Sequence, residues 1–435
     1  MGCRFTESGH VSARWIFRCS SRADAVGGSP IWSAKLAAPL VAGTYVSTVE
    51  AVADECGGDE LSRVVMVIGA FPESLINFRG DLLKCLKERG SAIIAMAAPS
   101  SEVESRLVEE FGVRFESFPV VRTGLNPLKD LVTLFALRSA FKKHKPDSVL
   151  AYTIKPVIYG GLAAFGIANL KFVALITGLG FSFAGTGIVR AVLRQFVSGL
   201  YRVALTRCER VIFQNPDDRD AFVDRKIVRF EKTMLVGGSG VNLSRFAPQP
   251  LPVGPPTFLL IARLLREKGI FEYVEAARQI RAEFPEARFK LVGPLDPSPD
   301  GIDFSTVLRW QKEGAIEYAG EASDVREHLA GCHVYVLPSY HEGMPRTVLE
   351  AMATGRPILT TDTSGCRETV IQGENGFIVR VGSVEDLVAR LRWFLLNRSK
   401  WTLMSARSRE IATAKFDVNR VNDAIANELM LNEKA

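Results

Sequence analysis

The sequence predicts an α/β protein built from two doubly wound, Rossmann-like domains that face a cleft. Three observations carry this. From Arg63 onward, apolar β-rich runs alternate with amphipathic helical stretches, the pattern of parallel sheets covered by helices. One segment, PQPLPVGPP at 248–256, holds five prolines and breaks the alternation once, as a stiff connector would. The length of 435 residues exceeds what a single hydrophobic core usually serves.

In the first half, VVMVI (64–68) precedes a helical pattern at 78–89, and AIIAMA (92–97) precedes another at 101–111. A helix at 127–143, a strand at 147–151, a helix near 157–168 and the strand FVALI (172–176) follow. A long helix at 187–207, the strand RVIFQ (210–214) and a helix near 216–225 close this half. Beyond the prolines the strands are FLLIA (258–262), FKLVG (289–293), IEYAG (316–320), VYVLP (334–338), PILTT (357–361) and FIV (377–379). Helices are expected between them at 268–284, 304–313, 323–331, 346–354 and 366–372, with one more at 384–397. The expected division is an N-terminal extension (1–60), a first domain (61–246), a linker (247–256), a second domain (257–415) and a final helix (416–435) that packs back toward the first domain.

Composition narrows the class. A net charge of +6 is too small to point to a nucleic-acid partner but suits an anionic membrane surface. Seven cysteines include no C-x-x-C pair, which fits a reducing, cytoplasmic setting. The apolar stretch 170–189 approaches the roughly 20 residues of a membrane span. It carries Lys171 and four glycines, and reads better as a strand entering a glycine-rich loop. The start, MGCRFTESGHVSARW, lacks the apolar run of a secretory leader. MGCRFT satisfies the myristoylation pattern, but an over-long start, with ordered chain from about Leu61, is the preferred account.

The chemistry concentrates in VLPSYHEGMPRTVLEAMATGRPILTTDTSG (336–365): a strand, a polar loop, and a helix opened by Pro345 and stopped by Gly355 and Pro357. Gly343 and Met344 then present backbone N–H groups at a positive helix end, a place for a diphosphate. Glu342 stands on the loop and Glu350 within the helix. One carboxylate can reach a sugar ring while the other accepts hydrogen bonds from vicinal hydroxyls of a ribose. Nearby, Arg263 ends a strand and Lys268 starts the next helix, so the two can converge on one anion and offset the charge of a leaving diphosphate.

This text resembles the E-x7-E signature of the family-4 retaining glycosyltransferases, with Glu342 and Glu350 as the two glutamates. The resemblance runs over 64–430. It implies the GT-B fold, a nucleotide-diphosphate sugar donor (UDP-linked), a donor-sugar contact for Glu342 and a ribose contact for Glu350. The family's R-x4-K-G pattern matches Arg263, Lys268 and Gly269. Gly293-Pro294, Gly314-Ala315 and Gly320-Glu321-Ala322 resemble its donor-base pocket.

In the first domain, Gly69 follows the opening strand and Arg79 opens the next helix, in a loop that the family places over the cleft. The strand-end loops at Thr153-Lys155 and Thr177-Gly178-Leu179-Gly180 are similar to those of enzymes that extend polyprenyl-diphosphate-linked sugars. Lys155 either pairs with an acceptor diphosphate or stands in solvent. Many members carry a donor-contacting histidine where Thr177 stands, and none of the five histidines (10, 144, 328, 333 and 341) can replace it locally. The helix at 187–207 pairs an apolar stripe with Arg190, Arg194, Arg202 and Arg207, as a helix lying on an anionic bilayer would, though packing on the sheet explains the stripe equally well.

The expected function is therefore retaining transfer of a hexose or N-acetylhexosamine to a glycan or polyprenyl-diphosphate-linked acceptor in cell-surface polysaccharide synthesis. The expected location is the cytoplasm, peripheral on the inner face of the plasma membrane. No metal or other cofactor is expected, because Asp362 is isolated from any D-x-D pair. The competing readings are a GT-B sugar-nucleotide epimerase and a non-catalytic protein that binds sugar nucleotides.

Overall fold

The computed structural model describes residues 63–121, 126–179 and 188–431. The expectations placed on 1–60 and on Gly180 lie outside these residues. The first domain runs β1 (Val64–Ile68), α1 (Glu73–Asn77), α2 (Gly80–Glu88), β2 (Ala92–Ala97), α3 (Ser101–Phe111), β3 (Arg114–Ser117) and α4 (Pro127–His144). It continues with β4 (Ser148–Tyr152), α5 (Ile154–Ala163), β5 (Lys171–Ile176), α6 (Ile188–Leu205), β6 (Cys208–Phe213), α7 (Pro216–Asp224) and β7 (Thr233–Leu235). The second domain runs β8 (Thr257–Ile261), α8 (Ile270–Glu283), β9 (Arg288–Val292), α9 (Phe304–Lys312), β10 (Glu317–Tyr318), α10 (Arg326–Ala330) and β11 (Val334–Leu337). After it come α11 (Arg346–Thr354), β12 (Ile358–Thr361), β13 (Gly376–Val379), α12 (Val384–Leu396), α13 (Trp401–Lys415) and α14 (Val418–Met430).

Both sheets are parallel throughout, ordered β3-β2-β1-β4-β5-β6-β7 and β10-β9-β8-β11-β12-β13. Period-two alternation decides which face each side chain joins. In β1, Val65 and Val67 enter the core shared with α2 and α14, while Met66 and Ile68 enter the one shared with α4, α5 and α6. In β8, Phe258 and Leu260 pack under α8 and α12, and Leu259 and Ile261 under α11. Each sheet therefore has a point where strand order reverses, between β1 and β4 and between β8 and β11. Ligand crevices form beyond the carboxyl ends of the strands at such points.

Several elements differ from the sequence reading. The helix expected at 78–89 is α2, and the short α1 just before it was not expected. Strand β3 (RFES) is half charged and β7 (TML) has three residues, so neither leaves an apolar run to read. The helix expected at 366–372 is one 3-10 turn, Arg367–Thr369. Helix α13 has no clean apolar stripe for the sequence to show.

The proline-rich segment lies along the second domain, where Arg356 Nη2 donates to Pro250 O at 3.0 Å and a ring nitrogen of His333 meets Pro252 O at 2.9 Å. Val241 and the Phe416–Val418 segment bind each other, Val241 N donating to Phe416 O (2.7 Å) and Val418 N to Val241 O (3.1 Å). Helix α14 then packs on α2, with Val421, Ile425 and Leu429 sharing a core with Leu82 and Leu86. Among the described residues no helix is long and apolar enough to cross a membrane.

Candidate active site

The loop from β11 to α11 is held from below. Ser339 Oγ donates to Glu267 O and His341 O at 3.2 and 3.3 Å, and Ser364 Oγ donates to Glu342 O at 3.2 Å. Gly269, with φ +69°, lets the loop after β8 fit against the same segment: a Cβ there would stand 2.0 Å from Pro338 O. That approach sets Lys268 beside Glu342, with Nζ to Oε1 at 2.8 Å and both side chains largely buried. Pro345 serves as the cap of α11, which begins at Arg346. The N–H groups of Gly343 and Met344 have no hydrogen-bond partner among the described residues.

Arg263 has a carboxylate partner of its own, apart from the one on Lys268. Its Nη1 binds Asp296 Oδ2 at 2.6 Å, and the Ser298 hydroxyl, the Ser298 backbone N–H and Arg263 together hold that carboxyl below its usual range. Gly293, at the end of β9, donates its N–H to Gly320 O and accepts from the Tyr318 hydroxyl, both at 2.8 Å. Asp362 is paired with Arg367 at 2.8 Å.

Glu350 is buried, and burial pushes its carboxyl up against the opposing pull of Arg346, whose Nε donates to Oε1 at 2.9 Å. Arg346 also reaches across the cleft: Nη1 donates to Asn77 O, and the guanidinium lies 5.2 Å from the centre of the Phe78 ring.

Further contacts join the two halves at Gly343. A Cβ on Gly343 would lie 2.0 Å from Thr177 O and 3.2 Å from Gly178 Cα, so only glycine allows this approach. Asn215 Nδ2 donates to Gly343 O at 2.6 Å and to Asp218 Oδ2 at 3.0 Å. Burial pushes the Asp218 carboxyl up to about 6, with the Asn215 amide and then His341 opposing. Farther out, Arg367 Nη1 meets Asp217 Oδ2 at 2.8 Å.

On the first-domain side, Gly69 lies against Tyr152, whose hydroxyl meets Ser74 Oγ at 2.8 Å. Arg79 is fully buried, 5.0 Å from the centre of the Tyr152 ring, with Nη1 donating to Phe78 O and Ser239 Oγ at 3.3 Å each. Desolvation lowers its guanidinium to about 10. Thr153 carries φ +67°, rare for a β-branched residue, and its buried hydroxyl has no partner among the described residues. Lys155 is bound to Asp130 Oδ1 at 2.7 Å, and both side chains are nearly buried. Among the described residues no group of three or more His, Cys, Asp or Glu side chains could hold a metal ion.

Arg346, Asn215 and Asp218 belong to the site without being singled out by the sequence pattern. Arg346 sits inside the quoted motif, four residues before Glu350, a spacing that pairs side chains on a helix. Asn215-Pro216 reads as a helix cap, but nothing local reveals that the cap's amide also holds a loop of the other domain.

Two family models match the chain. The one described as glycosyl transferases group 1 covers residues 244–411, and the one described as glycosyl transferase 4-like covers residues 82–215. The N,N'-diacetylbacillosaminyl-diphospho-undecaprenol alpha-1,3-N-acetylgalactosaminyltransferase of Campylobacter jejuni is 28% identical over 359 residues, 80% of this chain and 93% of that protein. The UDP-Gal:alpha-D-GlcNAc-diphosphoundecaprenol alpha-1,3-galactosyltransferase of Escherichia coli is 26% identical over 297 residues, 64% of this chain and 74% of that protein. The crystal structure of Anabaena HepE in complex with UDP matches with a TM-score of 0.68 at 20% identity, over 84% of this chain and 99% of that one, a likeness of fold.

Proposed function

Because the chain belongs to the group 1, 4-like glycosyltransferases and has their GT-B fold, we propose that it transfers a hexose or N-acetylhexosamine, with retention, from a UDP-linked donor to a lipid-linked sugar. The setting is cell-surface polysaccharide synthesis, and the acceptor class is a polyprenyl-diphosphate-linked saccharide, as the names of the two relatives state for those proteins. One observation carries the reading. Lys268 and Glu342 stand together at the amino end of α11, on the strand-order reversal of the second sheet and opposite the Thr177 loop of the first.

In this reading the donor diphosphate lies at the start of α11, against the N–H groups of Gly343 and Met344 and between Lys268 and Arg263. Glu350 takes the ribose hydroxyls and Glu342 the sugar. The acceptor hydroxyl attacks the anomeric carbon on the face that the diphosphate leaves. As the carbon–oxygen bond to phosphate breaks, the departing oxygen keeps the electron pair and accepts the hydroxyl's proton. Lys268 and Arg263 offset the charge that develops on it. No step requires a histidine at Thr177. On the acceptor side, Lys155 reaches a diphosphate only if Asp130 yields it.

The test is a panel of UDP-sugars with polyprenyl-diphosphate-linked acceptors, read by mass. Glu342→Ala and Lys268→Ala should each lower transfer by about 100-fold or more while melting as the parent does. Full activity in either variant refutes its assigned role. Conversion of the donor alone would mark an epimerase, and tight UDP binding without turnover a silent binder.

A further inference from the structure

The outer layer over one face of the first sheet is α4, α5 and α6, with α5 packed between the other two. Helix α4 turns Thr133, Leu137, Ala140 and Phe141 inward. Its opposite stripe is also apolar: Leu128, Leu131, Val132 and Phe135, spaced i, i+3, i+4 and i+7, with Leu128 78% and Phe135 60% exposed. Helix α6 repeats the arrangement, burying Val197, Tyr201 and Leu205 while Val192 and Phe196 stand 65% and 58% exposed. A helix with a water-facing apolar stripe besides its core face has one face too many for a protein in water.

Charge points to the occupant. The three helices contain one acidic residue, Asp130, and it is buried against Lys155. Lys129, Lys142 and Arg202 are exposed on them. Among the described residues Arg138 and Arg202 bind only backbone carbonyls, which brings no carboxylate to either charge. Lys143, next to Glu116, and Lys155, on Asp130, are the neutralised exceptions. Both helices enter from the carboxyl edge of the sheet, so their first turns, which carry Leu128, Leu131 and Val192, lie on the side of the Thr153 and Thr177 loops.

We infer that α4 and α6 together form a docking surface for an anionic phospholipid bilayer. The α4 stripe enters the interface, the basic groups meet the headgroups, and the cleft mouth is held at the membrane, where a lipid-linked acceptor resides. This deepens the proposed function and rests on its lipid-linked acceptor for its purpose, though not for its test. The sequence pointed to the 187–207 helix alone, and the structure adds α4.

The experiment is co-sedimentation of the full chain with phosphatidylglycerol-containing vesicles and with phosphatidylcholine vesicles, without substrate. The parent should favour the anionic vesicles. The double variant Leu128→Ser/Phe135→Ser should bind them about tenfold or more weakly, the loss expected when two large apolar side chains no longer enter lipid. Phe196→Ser should weaken binding in the same direction, and unchanged melting excludes a folding defect. Equal binding of parent and double variant overturns the inference, as does a parent indifferent to lipid charge. A parent dimer that the variants split, with no vesicle binding, assigns the face to a second copy and overturns it as well. A protein inert toward every UDP-sugar that still needs these residues for vesicle binding sinks the glycosyl-transfer reading alone.

Discussion

Asp218→Asn isolates the electrostatic cost of holding the donor loop. Asp218 is 1% exposed in the first turn of α7 and accepts from the Asn215 amide at 3.0 Å, the same amide that grips Gly343 O at 2.6 Å. Burial moves its carboxyl from 3.8 to about 6. At about 1.4 kcal/mol per pKa unit, ionising it in the fold costs about 3 kcal/mol at and above neutral pH. The sign follows from the raised value. The unpenalised stability is fully present below the unfolded pKa near 3.8 and is lost as pH rises through about 6. Asparagine keeps the shape, can accept the same bond and never ionises, and the dipole and hydrogen-bond gains of the carboxylate are already contained in its raised value. The net gain should be about 2–3 kcal/mol at about pH 8 and about 0.5 kcal/mol at about pH 4. Urea unfolding at the two pH values measures it. A variant no more stable than the parent at high pH, or equally stabilised at both, refutes the account.

Two further outcomes follow from contacts across the cleft. Gly343→Ala drives a Cβ to 2.0 Å from Thr177 O, so the domains must part by about an ångström. Transfer should fall about 100-fold, with melting little changed, since a displacement of that size suffices when reacting groups are held in place. Normal turnover would mean that the domains need not approach this closely. Arg346→Ala removes the partner of Glu350 and the bond to Asn77 O. Donor kcat/KM should drop about tenfold, the worth of one bond to a charged group. The pH profile of donor KM should shift upward, because the carboxyl, already raised by burial, loses the group opposing that shift. An unmoved profile would place Arg346 outside donor recognition.

The alternation of apolar runs and helical stripes made the α/β architecture legible, since both sheets bury both faces and leave continuous runs such as VVMVI and FLLIA. The donor loop was legible for a related reason: its residues are contiguous, and Pro345 and Gly355 bracket the helix by backbone rules. What stayed hidden depends on partners distant in sequence. Asp130 lies 25 residues from the Lys155 it binds, Asp296 lies 33 from Arg263, and Asn215 lies 128 from Gly343. No periodicity encodes such pairs. The α4 stripe was hidden by its own richness, because a helix apolar on two faces reads as a buried helix until the structure says which side faces water.

The Lys268–Glu342 pair has a consequence for the order of events. Each cation assigned to the diphosphate already has a carboxylate, Lys268 with Glu342 at 2.8 Å and Arg263 with Asp296 at 2.6 Å. On the proposed reading, donor entry is then an exchange, in which phosphate replaces carboxylate on Lys268 and frees Glu342 to turn to the sugar. Glu342→Gln separates the two halves of that exchange. The amide keeps the size of the side chain but competes weakly for the ammonium, so Lys268 is more available to phosphate. UDP alone should bind several-fold more tightly, about the worth of one partly buried ion pair, while transfer falls because the sugar loses its carboxylate. Calorimetric titration with UDP reads the first effect and product formation the second. If UDP binds the variant more weakly than the parent, Glu342 does not compete for Lys268 but orients it, and the exchange is wrong.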